Sequence, residues 1–345
     1  MFGPYVHSID PVIGSIFGVH LWWYGLSYTL GFLNAHMFIS RRRDALGLSP
    51  RSVYSLSLLV AGGVVLGGRT VEVIFYEWPF YREHLFMIPF LWVGGMATHG
   101  VLFGGLTGVC LFCRLHSMSF LKLTDTLIIP AAFILGVARI GNFIDGQIVG
   151  SVTAVWWGIK FPDAEGFRHP VVLYDGIKNL LLIPILIYAG RRQLPTGVLT
   201  GIFLFLYSFL RIFVDIYREY PTTLLGLATG QALNIFLSII GLVLFVTPLW
   251  KKRRRAETTV AHISLTEKNL MSADIGWRHL LFISLLLFSL TIPSDWTQDI
   301  PARYGKRHPG LQYSVLYPTI SSSNPEAEGE KLRMDLQELT VGSVP

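Results

Sequence analysis

The chain is 345 residues long, 52% of them hydrophobic and only 14% charged, with a mean hydropathy of +0.50. That balance excludes an ordinary soluble domain and points to a chain embedded in lipid. The net charge of +6 does not call for nucleic acid as a partner, because anionic lipid at an inner leaflet attracts the same basic residues.

Apolar runs at 19–40, 53–76, 85–113, 124–144, 171–190, 196–217 and 229–250 each approach the ~20 residues that cross a bilayer as helix. The predicted fold is therefore all-α, a polytopic membrane protein with seven transmembrane helices and a possible eighth. The opening stretch lacks the basic segment of a cleavable signal peptide, and its apolar run continues to spanning length, so the first span is expected to be retained. Basic clusters follow spans 1, 3, 5 and 7: Arg41, Arg42 and Arg43; Arg114 with Lys122; Arg191 with Arg192; and "KKRRR" at 251–255. Such residues gather in cytoplasmic loops. This places the N-terminus outside the cytoplasm and the loops around 77–84, 145–170 and 218–228 on the outer face.

Two cysteines, Cys110 and Cys113, fall in span 3 with no second pair or histidine cluster beside them. Packing is their expected role, and neither a metal site nor a cofactor is expected. Past residue 256 the composition changes. Residues 1–256 read as the seven-span domain, 257–276 as a polar linker, and 277–345 as a possible extra helix with an extracytoplasmic tail. The apolar run "HLLFISLLLFSLTIP" is short for a span unless Trp277 and Trp296 mark its interfacial ends. The last stretch, 321–345, is expected to be disordered from its composition.

Ionisable residues inside spanning helices are costly, so each is a functional hypothesis. Span 2 carries Arg69 and Glu72 three residues apart, close enough to share a helix face. Two readings stand for them: an ion pair that locks helix packing, or substrate binding. In span 3, Gly100, Gly104 and Gly108 recur every fourth residue and allow a neighbouring helix or lipid chain to approach closely. His99 lies beside that stripe, either as a satisfied core residue or as a base able to accept a proton near neutrality. Span 4 ends in "VARIGNFIDGQIVG", where Arg139 and Asn142 project to one side. Span 6 holds Arg211 and Asp215 at i and i+4, so that the carboxylate can orient the guanidinium. A planar fork of donors that keeps its charge suits phosphate, and in a membrane the abundant phosphate is a phospholipid headgroup. Snorkelling to the interface is the competing explanation for Arg139.

These segments resemble the bacterial prolipoprotein diacylglyceryl transferases. The run from Ala138 to Gly150 resembles that family's signature, approximately Gly-Arg-x-Gly-Asn-Phe-x-Asn-x-Glu-x-x-Gly. "HLWWYGLSY" around Tyr24, "GGR" ending at Arg69, "THGVLFGGLTG", "LTDTLIIP" with Asp125, "RHPVVLYD" at 168–175, "LRIFVD" and "TGQ" ending at Gln231 resemble its other motifs, in family order over residues 5–250. The chain departs from the pattern at Val101, Ala138, Asp145, Gln147, Val172 and Asp215.

The resemblance implies a seven-span enzyme in the bacterial cytoplasmic (inner) membrane that takes phosphatidylglycerol from the surrounding membrane lipids. It would transfer the diacylglyceryl group to the thiol of a lipobox cysteine in preprolipoprotein peptides and release glycerol 1-phosphate. His99, Arg211 and Tyr24 are then the candidate catalytic residues, with His99 as base. Arg139, Asn142, Gly150, Arg69 and Asp215 are the candidate phosphatidylglycerol-binding residues, Arg139 and Arg211 holding the phosphate and Asp215 aiming Arg211. Two other readings remain open: a paralogue with the same lipid donor and another acceptor, and a non-catalytic lipid-binding or transport protein.

Overall fold

The computed structural model describes residues 5–146, 148–162, 164–218, 223–224, 227–254, 272–294 and 316–317. The chain enters through an antiparallel hairpin, β1 (Val12–Ile16) and β2 (Val19–Trp22), turning at Phe17 and Gly18, both with positive φ. Helix α1 (Trp23–Leu46) follows and stops at Gly47, whose φ of 68° reverses the chain. Helix α2 (Pro50–Val71) starts with Pro50 in its first turn, and the Ser49 hydroxyl accepts from the Ser52 amide at 3.2 Å, a combination that satisfies the opening turn. It runs on as a π-helical turn, Glu72–Tyr76, before the short α3 (Trp78–Tyr81). The remaining elements are α4 (Thr98–Leu115), α5 (Phe120–Ile144), α6 (Val171–Gly190) and α7 (Val198–Asp215). They are followed by a small hairpin of β3 (Thr223–Leu224) and β4 (Leu227–Ala228), then α8 (Thr229–Arg254) and α9 (Ser272–Ser289).

Six of the helical segments among the described residues, starting with the 27-residue stretch Pro50–Tyr76, are long and apolar enough to cross a membrane. The first predicted span, α1, has 24 residues, about 36 Å of helix at ~1.5 Å per residue, and a more polar composition. The molecule is an all-α polytopic membrane protein with two short hairpins at its loops.

Two predicted boundaries are corrected. Span 1 was expected at 19–40, but residues 12–22 pair as the hairpin and the helix begins at Trp23. Span 3 was expected from residue 85, yet residues 85–97 form two 3-10 turns, Leu85–Met87 and Leu91–Val93, and α4 starts only at Thr98. Apolar composition concealed a loop there. Pro89 lacks an amide donor, and Gly94 and Gly95 take φ values of 103° and 85°, which ends any helix.

Helices α2 and α4 pack backbone against backbone, and glycine makes it possible. A β-carbon on Gly104 would lie 1.9 Å from the carbonyl oxygen of Gly63, and one on Gly67 would lie 2.4 Å from that of Gly100. The expected four-residue glycine stripe is thus a helix–helix contact. Cys113 packs in the buried cluster of Ile39, Leu56, Phe112 and Leu123, whereas Cys110 is exposed.

Helix direction sorts the residues into two ends. The C-terminal ends of α2, α5 and α7 and the N-terminal ends of α1, α4 and α6 share one end with the hairpin β1–β2. Arg41–Arg43, Arg51, Arg114, Lys122, Arg191 and Arg192 lie toward the other. Helix α9 runs alongside α2 and antiparallel to α1. Near the basic end, Arg278 Nη1 donates to Ser55 Oγ at 2.8 Å, and Tyr54 Oη lies 2.8 Å from His279 Nδ1. Near the other end, Thr29 Oγ1 donates to the carbonyl of Leu286 at 2.9 Å, as does the Trp22 amide to that of Leu290. The expected eighth helix is present and lies in the bundle. Its apolar part, Ile275–Ser289, is about 22 Å long, less than a ~30 Å hydrocarbon core. Most of the predicted polar linker 257–276, and the predicted disordered tail, lie outside the described residues.

Candidate functional site

At the hairpin end, α5, α6, α7 and the turn after α7 bring four cations and two carboxylates together. Asp175, one turn into α6 and 1% exposed, is the hub. Its Oδ2 accepts from Arg139 Nε at 2.7 Å and from Arg211 Nη1, and its Oδ1 lies 2.9 Å from Lys178 Nζ. Asp215 accepts from Arg211 Nε at 2.8 Å and from Asn234 Nδ2 at 3.1 Å, with Arg218 Nη1 3.9 Å away. Arg139 Nη1 donates to Asn142 Oδ1 at 3.2 Å. Lys178 also donates to the Tyr207 carbonyl at 3.2 Å and lies over the Tyr207 ring.

The local sequence explains the convergence. Arg139 and Asn142 stand three apart on α5, Asp175 and Lys178 three apart on α6, and Arg211 and Asp215 four apart on α7, so each helix presents a paired face. The three pairs meet where those helices cross. Arg139, Ile148, Val171, Val172, Asp175, Arg211 and Arg218 line a narrow cleft. Among the six charged side chains named, Arg139, Lys178, Arg211 and Arg218 against Asp175 and Asp215, cations outnumber carboxylates by two. Buried charge is tolerated only when paired and hydrogen-bonded, and here Asp175 and Asp215 hold the guanidiniums of Arg139 and Arg211.

The predicted residues divide. Arg139, Asn142, Arg211 and Asp215 are brought together. Gly150 sits beneath them as a packing point. Its amide donates to the His169 carbonyl at 3.2 Å, and a β-carbon there would come within 2.5 Å of that oxygen. Tyr24 packs its backbone on Gly141, next to Asn142, and its hydroxyl lies 3.1 Å from that of Tyr28. His99 is exposed at the start of α4, its Nδ1 3.1 Å from Tyr76 Oη. No contact among the described residues joins it to the arginine cleft.

Arg69 departs from both expectations. It directs five hydrogen bonds into the loop before α4: Nε to Ile88 at 2.7 Å, Nη2 to Met87 at 2.9 Å and Phe90 at 3.3 Å, and Nη1 to Gly95 at 3.2 Å and to Gly94. It is 5% exposed and clamps that loop instead of pairing with Glu72 or facing the cleft. Asp125 likewise caps α7, accepting from the amides of Gly197 at 2.6 Å and Thr200 at 2.8 Å.

Sequence reasoning did not single out Asp175, Lys178, Arg218 or Asn234. Asp175 closes the quoted "RHPVVLYD" segment, and an acid inside an otherwise apolar helix was the available signal. Gln147 lies outside the described residues. Asp145, buried at 3%, accepts from the Ser294 hydroxyl, so the stretch after α9 reaches the C-terminal end of α5. Tyr317 completes that cover. It is 1% exposed among Trp22, Phe80, Tyr81, Met87 and Val93, and its hydroxyl accepts from the His20 amide at 3.0 Å. Burial away from water pushes its pKa up to about 12. Burial also holds the His169 imidazole below its ordinary value, where it lies 3.1 Å from the Tyr174 hydroxyl.

A helical bundle of membrane-crossing length, with two arginines from separate helices fastened to one buried carboxylate, defines an integral membrane protein with a buried charge network between its helices. The family model described as prolipoprotein diacylglyceryl transferase matches residues 11–247. A phosphatidylglycerol–prolipoprotein diacylglyceryl transferase from Geobacter sulfurreducens is 36% identical over 247 residues, covering 69% of this chain and 95% of the relative. Proteins of the same name from Chromohalobacter salexigens and Vibrio cholerae are each 36% identical over 256 residues, covering 72% of this chain and 94% and 93% of the relatives. The chain belongs to the prolipoprotein diacylglyceryl transferase family. Helix α9 and the segment after it lie beyond the matched residues.

Proposed function

We propose that this protein transfers the diacylglyceryl group of phosphatidylglycerol to the thiol of a lipobox cysteine in preprolipoproteins, releasing glycerol 1-phosphate. The observation that carries this reading is the convergence of Arg139 and Arg211, from separate helices, on Asp175 beside one cleft. In the reaction the substrate thiolate attacks the glyceryl carbon that bears the phosphate ester. A carbon–sulfur bond forms, the carbon–oxygen bond breaks, and the electron pair leaves on the phosphate, which gains a second negative charge. A guanidinium pair fixed before the reaction stabilises charge that grows there, an effect worth on the order of 10²–10³ in rate per donor removed.

Asp175 and Asp215 hold the forks in place, and Asn142 orients Arg139. Tyr24, beside Asn142, is placed to orient headgroup or peptide. His99, with Nδ1 directed to Tyr76, would take the thiol proton on its other ring nitrogen, since the thiolate is the nucleophile. The protein would sit in the bacterial cytoplasmic membrane with its N-terminus and the arginine cleft on the outer side. The basic residues at the opposite end of the helices support that orientation.

The test supplies purified protein in detergent with phosphatidylglycerol and a lipobox peptide, and follows glycerol phosphate release and the peptide's mass. Both products are expected. Release without peptide modification would move the reading to another acceptor, favoured by the contact of the appended segment with Asp145. No product of either kind would leave a lipid-binding protein without this activity.

A further inference from the structure

We infer a second anion site, at the opposite end of the bundle from the arginine cleft, where α2, α4 and α9 meet. There a cavity of about 510 Å³ is lined by Arg51, Ser52, Ser55, His116, Arg278 and three leucines, a size ordinary for small-ligand sites. Two guanidiniums from different helices face the same space. Arg278 is held by its bond to Ser55, and His116 is stacked on Phe112 with ring centroids 4.2 Å apart. The first turn of α2 adds the positive end of a helix dipole and carries no acidic residue. Leu58, Leu59 and Leu115 form the apolar wall, and Leu115 is 65% exposed on the outer surface of α4.

This pairing of basic groups with a lipid-facing apolar wall selects an amphipathic anion: a phosphate-bearing lipid headgroup whose acyl chains lie along the leucines. Basic pockets between helices at the positively charged end of a membrane protein hold such headgroups. Arg278 belongs to α9, beyond the region shared with the family, so the site is a property of the appended helix. A lipid bridging Arg51 and Arg278 would fasten α9 to α2. The source is set to an inner-leaflet phospholipid by the orientation proposed above.

Native mass spectrometry of the full chain, titrated with phosphatidic acid, tests this. Phosphatidylcholine serves as the zwitterionic comparison and inorganic phosphate as the free anion. The double variant Arg51→Gln/Arg278→Gln should lose one bound phosphatidic acid, with affinity lowered about 25-fold, roughly fivefold per arginine. Arg139→Gln should leave that binding event unchanged, which separates it from the donor cleft. Tyr54→Phe, which removes the hydroxyl contact with His279 on α9 and keeps both charges and the lining, should retain the lipid. Wild-type binding by the double variant, equal binding of phosphatidylcholine, saturation by inorganic phosphate with no preference for lipid, or loss in Tyr54→Phe would each overturn the assignment.

Discussion

Arg69 and the pair Arg139–Arg211 are all arginines inside spanning helices, and they do opposite things. Arg69 points its fork at five backbone carbonyls of a single loop and fastens that loop onto α2. Arg139 and Arg211 each give one arm to Asp175 and still line a cleft. The difference lies in the partners: Arg139 and Arg211 meet a carboxylate side chain beside a cleft, the arrangement on which the proposed function rests. Carbonyl partners consume the donors and yield a structural clamp.

That contrast can be broken by substitution. The largest effect on activity is expected from Arg139→Ala or Arg211→Ala, a fall in kcat of roughly 10²–10³ or more, measured as lipidated peptide formed; full activity in either would remove the phosphate clamp. Asp175→Asn leaves Arg139, Arg211 and Lys178 without their shared counter-charge and should cost about 3–5 kcal/mol of stability, read from unfolding in detergent. Arg69→Met should lower stability by about 2–4 kcal/mol, because several buried carbonyls lose their donor. Arg69→Lys should not restore it, since an ammonium lacks the planar fork. Transfer by the surviving folded fraction of the Arg69 variants should remain near normal; a specific collapse of turnover would place Arg69 back in the site.

The smallest effect concerns His169, whose pKa burial lowers from 6.5. Below about pH 6.5 the unfolded chain takes the proton first. The contribution is therefore complete above that pH and is lost as pH falls toward the folded value. A His169→Gln variant should show a flatter stability profile between pH 7 and pH 5 than the parent, and superimposable profiles would exclude the residue as the source.

Much of this was legible in the sequence because it is local. Helix length and hydropathy marked the bundle, and the i, i+3 and i, i+4 pairs on α5 and α7 announced half of the site. Asp175 was harder to find because each arginine it binds lies 36 residues away in sequence; only the crossing of three helices makes them neighbours. The role of Arg69 was hidden for a different reason. Its partners are carbonyls, which every residue carries, so no side-chain pattern signals them. Residues 85–97 are as apolar as a span, and the glycines and proline that interrupt them weigh little in a hydropathy window.

The last contacts of the described chain concern the first. Ser294 meets Asp145, and Tyr317 closes over Trp22 and the loop that Arg69 holds. Both follow α9, which carries the chain from the basic end to the cleft end. In a nascent polypeptide α1–α8 are therefore made before the segment that packs on Asp145 and Trp22. The family model ends at residue 247, so both contacts tie the segment beyond it back onto the part of the chain that the family shares.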